Sequence, residues 1–454
     1  MKHTVHTRMT DGPVFRSLLM YSLPLIAGNL MQQLYNTFDS VIVGNLIGNH
    51  ALAAVGASGQ IIYLLVTLCV GASTGAGILI ATYYGAEDKK QTSTAVHTAL
   101  VLSVLAGAVI TALGLTLSVT FLRWMGTPPE VLTDAGIYLR IIFAGTLFQA
   151  LYNMSAGILN AVGNSERSLR YLAVSSGLNV GLDLLFVGVF SMGIAGAAWA
   201  TILSQGVSAA LALRYLARTE DIYRVERRAL RLDRAMAGRI IRLGIPTAIQ
   251  GAVISFSNIL IQTGVNSFGT RAMAGYTSCL KVDGFNILPV YSFSLAASTF
   301  VGQNLGAGRV DRAKKGVWTT LWMSVGYTAV TSVLLLSFAR SVLSIFGGDA
   351  ETIEYGVLCL HSLAPFYPLL AVIHSLAGAV RGSGKTLPPM LIILFSLCAF
   401  RIFWIQCIAP LFGSIQGVFM TYSASFFVGA GLMAAYTIFG RWMPKDGGLL
   451  SVDK

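Results

Sequence analysis

Apolar residues run in long blocks along this chain. Twelve stretches of about 20 mostly apolar residues follow one another, the length an α-helix needs to cross a bilayer core. They centre near Leu30, Leu65, Ala106, Phe148, Val180, Ala209, Ile259, Leu288, Val330, Val372, Ile402 and Gly429. Long runs, rather than short alternating ones, predict helices and not a membrane β-barrel. The connections are short except for Arg214 to Arg242, which holds nine arginines and four acids. The pattern predicts an all-α polytopic membrane protein with twelve transmembrane helices. A six-helix lobe covers residues 1–217, a cytoplasmic linker 218–238 and a second six-helix lobe 239–454. The start is polar through Gly12, and the next apolar run is too long for a signal peptide and lacks an A-x-A site. The first span therefore reads as a retained anchor.

Composition agrees with this pattern. Of 454 residues, 55% are apolar and 11% charged, against about 25% charged in soluble domains. That scarcity excludes a soluble enzyme, a nucleic-acid-binding protein and a disordered scaffold. Glycine, at 48 residues, fits close helix contact in lipid. The five cysteines all lie in apolar stretches and read as small buried hydrophobes. Net charge is +12, from 31 basic and 19 acidic residues. Placing the termini and even-numbered loops on one side puts 25 of the 31 basic residues there, including Lys2, Lys445 and Lys454. Only Arg123, Arg271 and Arg340 fall on the other side. This distribution predicts an inner or plasma membrane protein with both termini cytoplasmic. The basic excess is thus a record of topology.

The two halves align with an almost constant shift of 221. Gly48 pairs with Gly269, Gly85-Ala86 with Gly306-Ala307, Ala156-Gly157 with Ala377-Gly378, and Gly163 with Gly384. Pro24 and Pro246 pair with one residue of slippage. Six spans per half insert both halves the same way up, as parallel repeats related by an axis along the membrane normal. Such halves suit alternating access to a central cavity.

Carboxylates at bilayer depth are costly, about 2.5–3.5 kcal/mol on insertion scales, and are functional candidates by default. Three occur: Asp39 in span 1, Asp183 in span 5 and Asp283 in span 8. Asn179 and Asp183 are four apart and share a helix face. With Thr201 of span 6 and Asp39 they form an oxygen-rich candidate set suited to a hard cation such as sodium. Alternatively, one of two close carboxylates carries a proton. Lys281 lies two residues from Asp283 and faces elsewhere. Arg401, at the repeat position of Val180, is the expected salt-bridge partner of Asp283. His374, at the repeat position of Asn153, reads as a hydrogen-bonded spacer before a titrating group.

Pro24, Pro246 and Pro289 sit inside spans and are either fixed kinks or hinges. Gln32, Asn153 and the aromatics Tyr35, Phe38, Tyr63, Phe148, Tyr152, Phe256 and Tyr291 are candidates to line a cavity for planar, cationic ligands. No Walker A, HExxH or GxSxG motif occurs.

Several of these segments together resemble the multidrug and toxic compound extrusion (MATE) family. Span 1 has Pro24, Asp39 and Val43-Gly44, and span 6 has Gly193-x-x-Gly196-Ala-Ala-x-Ala-Thr201. Span 8 has Pro289 and Val301-Gly302-Gln303-Asn304-Leu305-Gly306-Ala307. The resemblance covers nearly the whole chain. It implies two six-helix lobes in a V and export of organic, often cationic, compounds in exchange for sodium or protons. Asp39, Asn179, Asp183 and Thr201 match the coupling-cation pattern of the DinF-like branch one for one. The branch with acids in spans 7 and 10 is not matched. The expectation is a monomeric cation-coupled multidrug antiporter acting on small organic substrates, with the bilayer its only other partner and no enzymatic activity or cofactor. A flippase for a lipid-linked saccharide and a membrane-embedded enzyme acting on lipid are the alternatives.

Overall fold

The computed structural model describes residues 8–444, the side chains of Asn49 and Leu52 excepted. Lys2, Lys445 and Lys454 lie outside the described residues. The first half holds α1 (Val14–Leu46), α2 (Asn49–Gly85), α3 (Lys89–Trp124), α4 (Pro129–Ala144), α5 (Thr146–Ala161), α6 (Ser165–Asp183) and α7 (Gly193–Arg218). The second holds α8 (Arg234–Asn266), α9 (Thr270–Gly306), α10 (Val310–Ser337), α11 (Ala339–Ser344), α12 (Ala350–Leu363) and α13 (Tyr367–Gly382). It closes with α14 (Leu387–Leu394), α15 (Phe400–Phe403) and α16 (Ile415–Phe439).

Eleven helical stretches among the described residues are long and apolar enough to span a bilayer, and the α4–α5 pair, bent by 49°, makes a twelfth if taken as one span. The helix is the forced solution in hydrocarbon, because it satisfies its own backbone hydrogen bonds. Pro24, Pro246 and Pro289 are carried inside unbroken helices. The 49° bend is instead at Gly145, which none of the predicted hinges included. Four of the five cysteines are buried as expected, whereas Cys407 is exposed.

The chain forms two compact units, and their borders fall inside helices. One unit comprises Leu23–Ala248 with Arg8, and the other comprises Met9–Ser22 with residues 249–444. The segment 218–238, expected to be a linker, therefore packs into the first unit together with the start of α8. The start of α1 packs into the second unit. Each half thus gives the first turns of its leading helix to the opposite unit, and the change-over lies beside Pro24 and Pro246.

Specific contacts seat each exchanged arm. In the first unit, the Glu226 backbone N–H donates to His97 Nε2 at 2.9 Å, Tyr84 donates to Asp221 at 3.2 Å and Arg239 donates to the Tyr83 hydroxyl at 2.9 Å. Gly75 and Gly244 allow α2 and α8 to touch backbone to backbone, since a Cβ on either would strike the facing main chain. In the second unit, the Met9 N–H donates to Gln303 Oε1 at 3.1 Å and Asn304 Nδ2 donates to the Met9 carbonyl at 3.2 Å. Arg312 donates to the Met9, Asp11 and Gly12 carbonyls, and the Tyr21 and Thr299 hydroxyls lie 3.2 Å apart.

The repeat extends to individual hydrogen bonds. Ser73 Oγ donates to the Asn153 carbonyl at 2.9 Å, and Ser294 Oγ donates to the His374 carbonyl at 2.6 Å. Thr111 donates to the Phe143 carbonyl as Ser332 does to the Ala364 carbonyl. All four residue pairs obey the shift of 221. Gly48 and Gly269 open equivalent helices with φ of 110° and 94°, a region that an L side chain rarely occupies. Each unit buries its own apolar core, one around Val43, Leu139 and Ala197 and the other around Tyr276, Leu363 and Phe419.

Candidate functional site

Gln32, Tyr35, Asn36 and Asp39 follow one another on α1 at helical spacing, so they share one face. That face lines a cavity of about 300 Å³ inside the first unit. Gly59, Ile62, Tyr63 and Val66 of α2 form the facing stripe. Tyr138, Ile142, Gly145 and Gln149 close it from the bent α4–α5 pair, and Thr201, Ile202 and Gln205 from α7.

Behind the cavity, α6 brings Asn179 and Asp183 to the same place. Asp183 is 0% exposed, Asn179 1% and Asp39 8%. Asn179 Nδ2 donates to Thr201 Oγ1 at 3.5 Å, and that hydroxyl donates onward to the Ala197 carbonyl at 3.1 Å. The two carboxyl groups interact with one another, and the rings of Tyr35 and Tyr138 lie within their field. All four members of the predicted set are therefore together. One buried oxygen of Asp39, both of Asp183 and the amide oxygen of Asn179 receive no hydrogen bond among the described residues.

Acceptor oxygens without donors are expensive in a protein interior. Here two of the groups are also like-charged when ionised, and no basic side chain lines the cavity. A positive charge supplied from outside, a proton or a hard cation, is what this donor set fits. Among the described residues no three His, Cys, Asp or Glu side chains are arranged to hold a metal ion, so the donor set here is two carboxylates, one amide and one hydroxyl. A π-helical turn, Leu184–Val189, begins immediately after Asp183, a distortion found frequently at functional sites.

The bend beside the site is tightly packed. Gly145 packs so closely on α7 that a Cβ there would overlap Ile202. The kinked helix pair turns both Tyr138 and Gln149 toward the cavity.

Other predicted liners are elsewhere. Phe148 packs beside Gly206 and is not among the residues that line the cavity. Tyr152 is buried at 9% exposure, and the Asn153 side chain bonds back to the Gln149 carbonyl at 2.9 Å. Phe38 is more than half exposed and is not among the lining residues. In the second unit, Phe256 is also more than half exposed, and Tyr291 stands edge-on to the buried His374 at 4.8 Å. His374 is 2% exposed and packs against that ring.

The expected salt bridge between Asp283 and Arg401 does not form. Arg401 Nε donates to Ser425 Oγ at 2.9 Å, and its Nη1 donates to Asn258 Oδ1 at 3.4 Å. Its guanidinium also lies over the Tyr422 ring at 4.7 Å. Ring faces and neutral oxygens satisfy this cation, while Asp283 lies in its field without an ion pair. Lys281 is exposed and reaches over the Phe346 ring at 5.6 Å.

The MatE family model matches residues 24–185 and 246–405, once on each half and starting at each of the paired prolines. The chain belongs to the MatE family. Among MatE relatives it is 29% identical over 434 residues to the Bacillus subtilis probable multidrug resistance protein YpnP, covering 95% of this chain and 97% of that one. It is 29% identical over 452 residues to the probable multidrug resistance protein YoeA of the same organism, with 97% of each covered. The MatE fold is also evident from a solved structure, the outward-facing conformation of a multidrug resistance MATE family transporter of the MOP superfamily. That match has a TM-score of 0.89 and 23% identity, covering 96% of this chain and 98% of the other.

Tyr138, Gln149, Gln205, Asn36 and Gly145 were not singled out from sequence. Two of them had a signal available. Asn36 is three residues before Asp39 and Gln205 four after Thr201, each on the helical face of a predicted site residue. Nothing local marks Tyr138 and Gln149, which reach the site because of the bend.

Proposed function

We propose that this chain is a cation-coupled antiporter that exports small organic compounds, cationic or amphipathic in character, by alternating access. One observation carries the reading: buried carboxylate and amide oxygens of Asp39, Asp183 and Asn179 receive no donor. Asp39 and Asp183 would hold the coupling cation, with Asn179 and Thr201 as neutral oxygen partners. A proton would neutralise one carboxyl, whereas sodium would take oxygens from all four. Binding removes the repulsion between the carboxylates and so favours a different packing of α1 against α4–α7. A cation drives such a change only by its stronger binding to one state. Pro24 and the Gly145 bend are the positions where these helices would flex. The names of YpnP and YoeA support multidrug efflux as the task. A saccharide-lipid flippase is less well supported, because no Lys or Arg lines the cavity.

The arginine-rich connection and other basic loops support an inner or plasma membrane location with cytoplasmic termini. Single-cysteine accessibility on intact cells, in a background lacking the five native cysteines, tests that orientation.

Flux in proteoliposomes tests the function. With a sodium or pH gradient imposed, wild-type protein should move a cationic dye against its own gradient. Asp39→Asn and Asp183→Asn should each cut gradient-driven movement about 5–150-fold. Normal coupled flux in both variants would overturn the reading.

A further inference from the structure

The second unit has a cavity of its own. It measures about 350 Å³, at the lower end of small-molecule pockets. Its walls come from α9, the outer part of α10 and the short α11 with the turn after it. Val282, Phe285 and Asn286 of α9 present one helical face to it. Leu334, Leu335 and Ile345 make the opposite wall apolar.

Asn286 is out of place in such a lining. It is 5% exposed, and neither its amide nitrogen nor its amide oxygen has a partner among the described residues. An amide without partners in an apolar cavity is costly unless something that enters completes it. At one end of the cavity stands Lys281, whose ammonium lies over the lining residue Phe346 and has no ion-pair partner among the described residues. Val282 and Leu335 line the same space, so Lys281 stands level with the end of α10, two residues before Ser337. From there the long lysine side chain can snorkel toward the headgroup layer on the side where α9 begins. Asn286 lies five residues farther along α9, about 7.5 Å deeper. Ile345 and Leu334 beside the cavity are 79% and 52% exposed, so the wall continues onto the membrane-facing surface.

The geometry points to a binding site for one anionic phospholipid of the leaflet away from the termini. Its phosphate pairs with Lys281. An ester carbonyl accepts from the Asn286 amide. One acyl chain fills the space between α9 and α10, toward Tyr327. The order of cation, amide and apolar channel down the helix axis matches the order of phosphate, ester and chain in a phospholipid. No covalent step is involved.

The test uses the full-length chain, stripped of lipid in detergent and incubated with phosphatidylglycerol or phosphatidylcholine, with retained lipid counted by native mass spectrometry. Wild type should retain one phosphatidylglycerol at least threefold more often than phosphatidylcholine. Lys281→Gln alters an exposed side chain and should erase that preference. Leu335→Trp fills the channel and should remove the retained lipid while cooperative melting persists. Equal retention of both lipids by wild type would overturn the headgroup assignment. Unchanged phosphatidylglycerol retention in both Lys281→Gln and Asn286→Leu would overturn the site, even if Leu335→Trp failed to fold. None of these readouts depends on ion coupling, so they stand or fall separately from the transport reading.

Discussion

The two halves share a frame and differ in its contents. Shifted by 221, Asn179 becomes Phe400, Asp183 becomes Trp404 and Thr201 becomes Tyr422. Asp39 falls on Leu260. The paired serine-to-carbonyl bonds and positive-φ glycines are retained, yet both carboxylates and the amide of the candidate coupling site are replaced by a ring or an aliphatic chain, and the Thr201 hydroxyl by a tyrosine that pairs with Tyr276. The second unit instead buries Arg401, held by Ser425, Asn258 and Tyr422. Packing alone is enough to keep the frame, whereas the candidate coupling oxygens occur in one copy. A repeat can therefore be strict in its backbone while its two copies carry different side-chain chemistry.

The sharpest way to break this comparison is to neutralise acids on both sides of it. Asp39→Asn or Asp183→Asn should cut gradient-driven export about 5–150-fold, the usual range of a coupling free energy. Asp283→Asn should leave it within about twofold, a change too small to count as a lost coupling. If Asp283→Asn lost as much as the others, the second unit would be a coupling site too. Proteoliposome flux decides between these outcomes.

Removing Arg401 is the next largest effect and should appear in stability. Arg401→Met leaves Ser425 and Asn258 without their donor, at a cost of about 1.5–3 kcal/mol, measured as a lower unfolding midpoint. The ion dependence of transport should not move.

The bend gives a third contrast. Gly145→Ala would force Ile202 aside, and overpacking of this kind costs about 1–3 kcal/mol. Thermal melting should fall, and adding Ile202→Ala should recover most of the loss. Its repeat-mate Phe366 lies in a short 3-10 turn with Pro365, so the second half breaks its helix by different means.

The smallest effect concerns helix starts. Asp349 caps α12 by accepting from the Thr352 N–H at 2.9 Å, whereas its repeat-mate Pro128 offers no side-chain acceptor. The Thr352 hydrogen bonds, and then Arg271, hold the Asp349 carboxyl below the usual carboxylate range. A depressed value means that the stabilisation is present at neutral pH and is lost as pH falls through it. Asp349→Asn keeps an acceptor but does not titrate, so the acid side of its melting-against-pH curve should be flatter than that of wild type.

How far the sequence could be read depends on what fixes each feature. The spans were legible because bilayer thickness sets a length for apolar runs. Asn179 and Asp183 were legible because a spacing of four is fixed by the helix itself. The Asp283–Arg401 pairing failed for a local reason. Arg401 lies between two π-helical turns, Phe395–Ala399 and Trp404–Ile408. Each turn adds a residue to the regular count and rotates the rest of the helix, so a repeat alignment gives the depth of Arg401 and not its direction. Tyr138 and Gln149 depend on a bend, and a glycine in a glycine-rich chain does not announce one.

The exchanged arms bear on how the protein is made. Synthesis delivers Met9–Ser22 near the start, but their seat on Gln303, Asn304 and Arg312 is translated almost 300 residues later. At ordinary elongation rates the arm waits roughly 15–60 s for its partner. The first unit has the opposite schedule, since its final piece, residues 219–248, comes directly after its last span. One unit can therefore close once residue 248 has been made, whereas the arm of the other is seated only after the chain has been made through Arg312. A severed half would lack part of its own closure, so the protein is one folding job even though it is built from two copies.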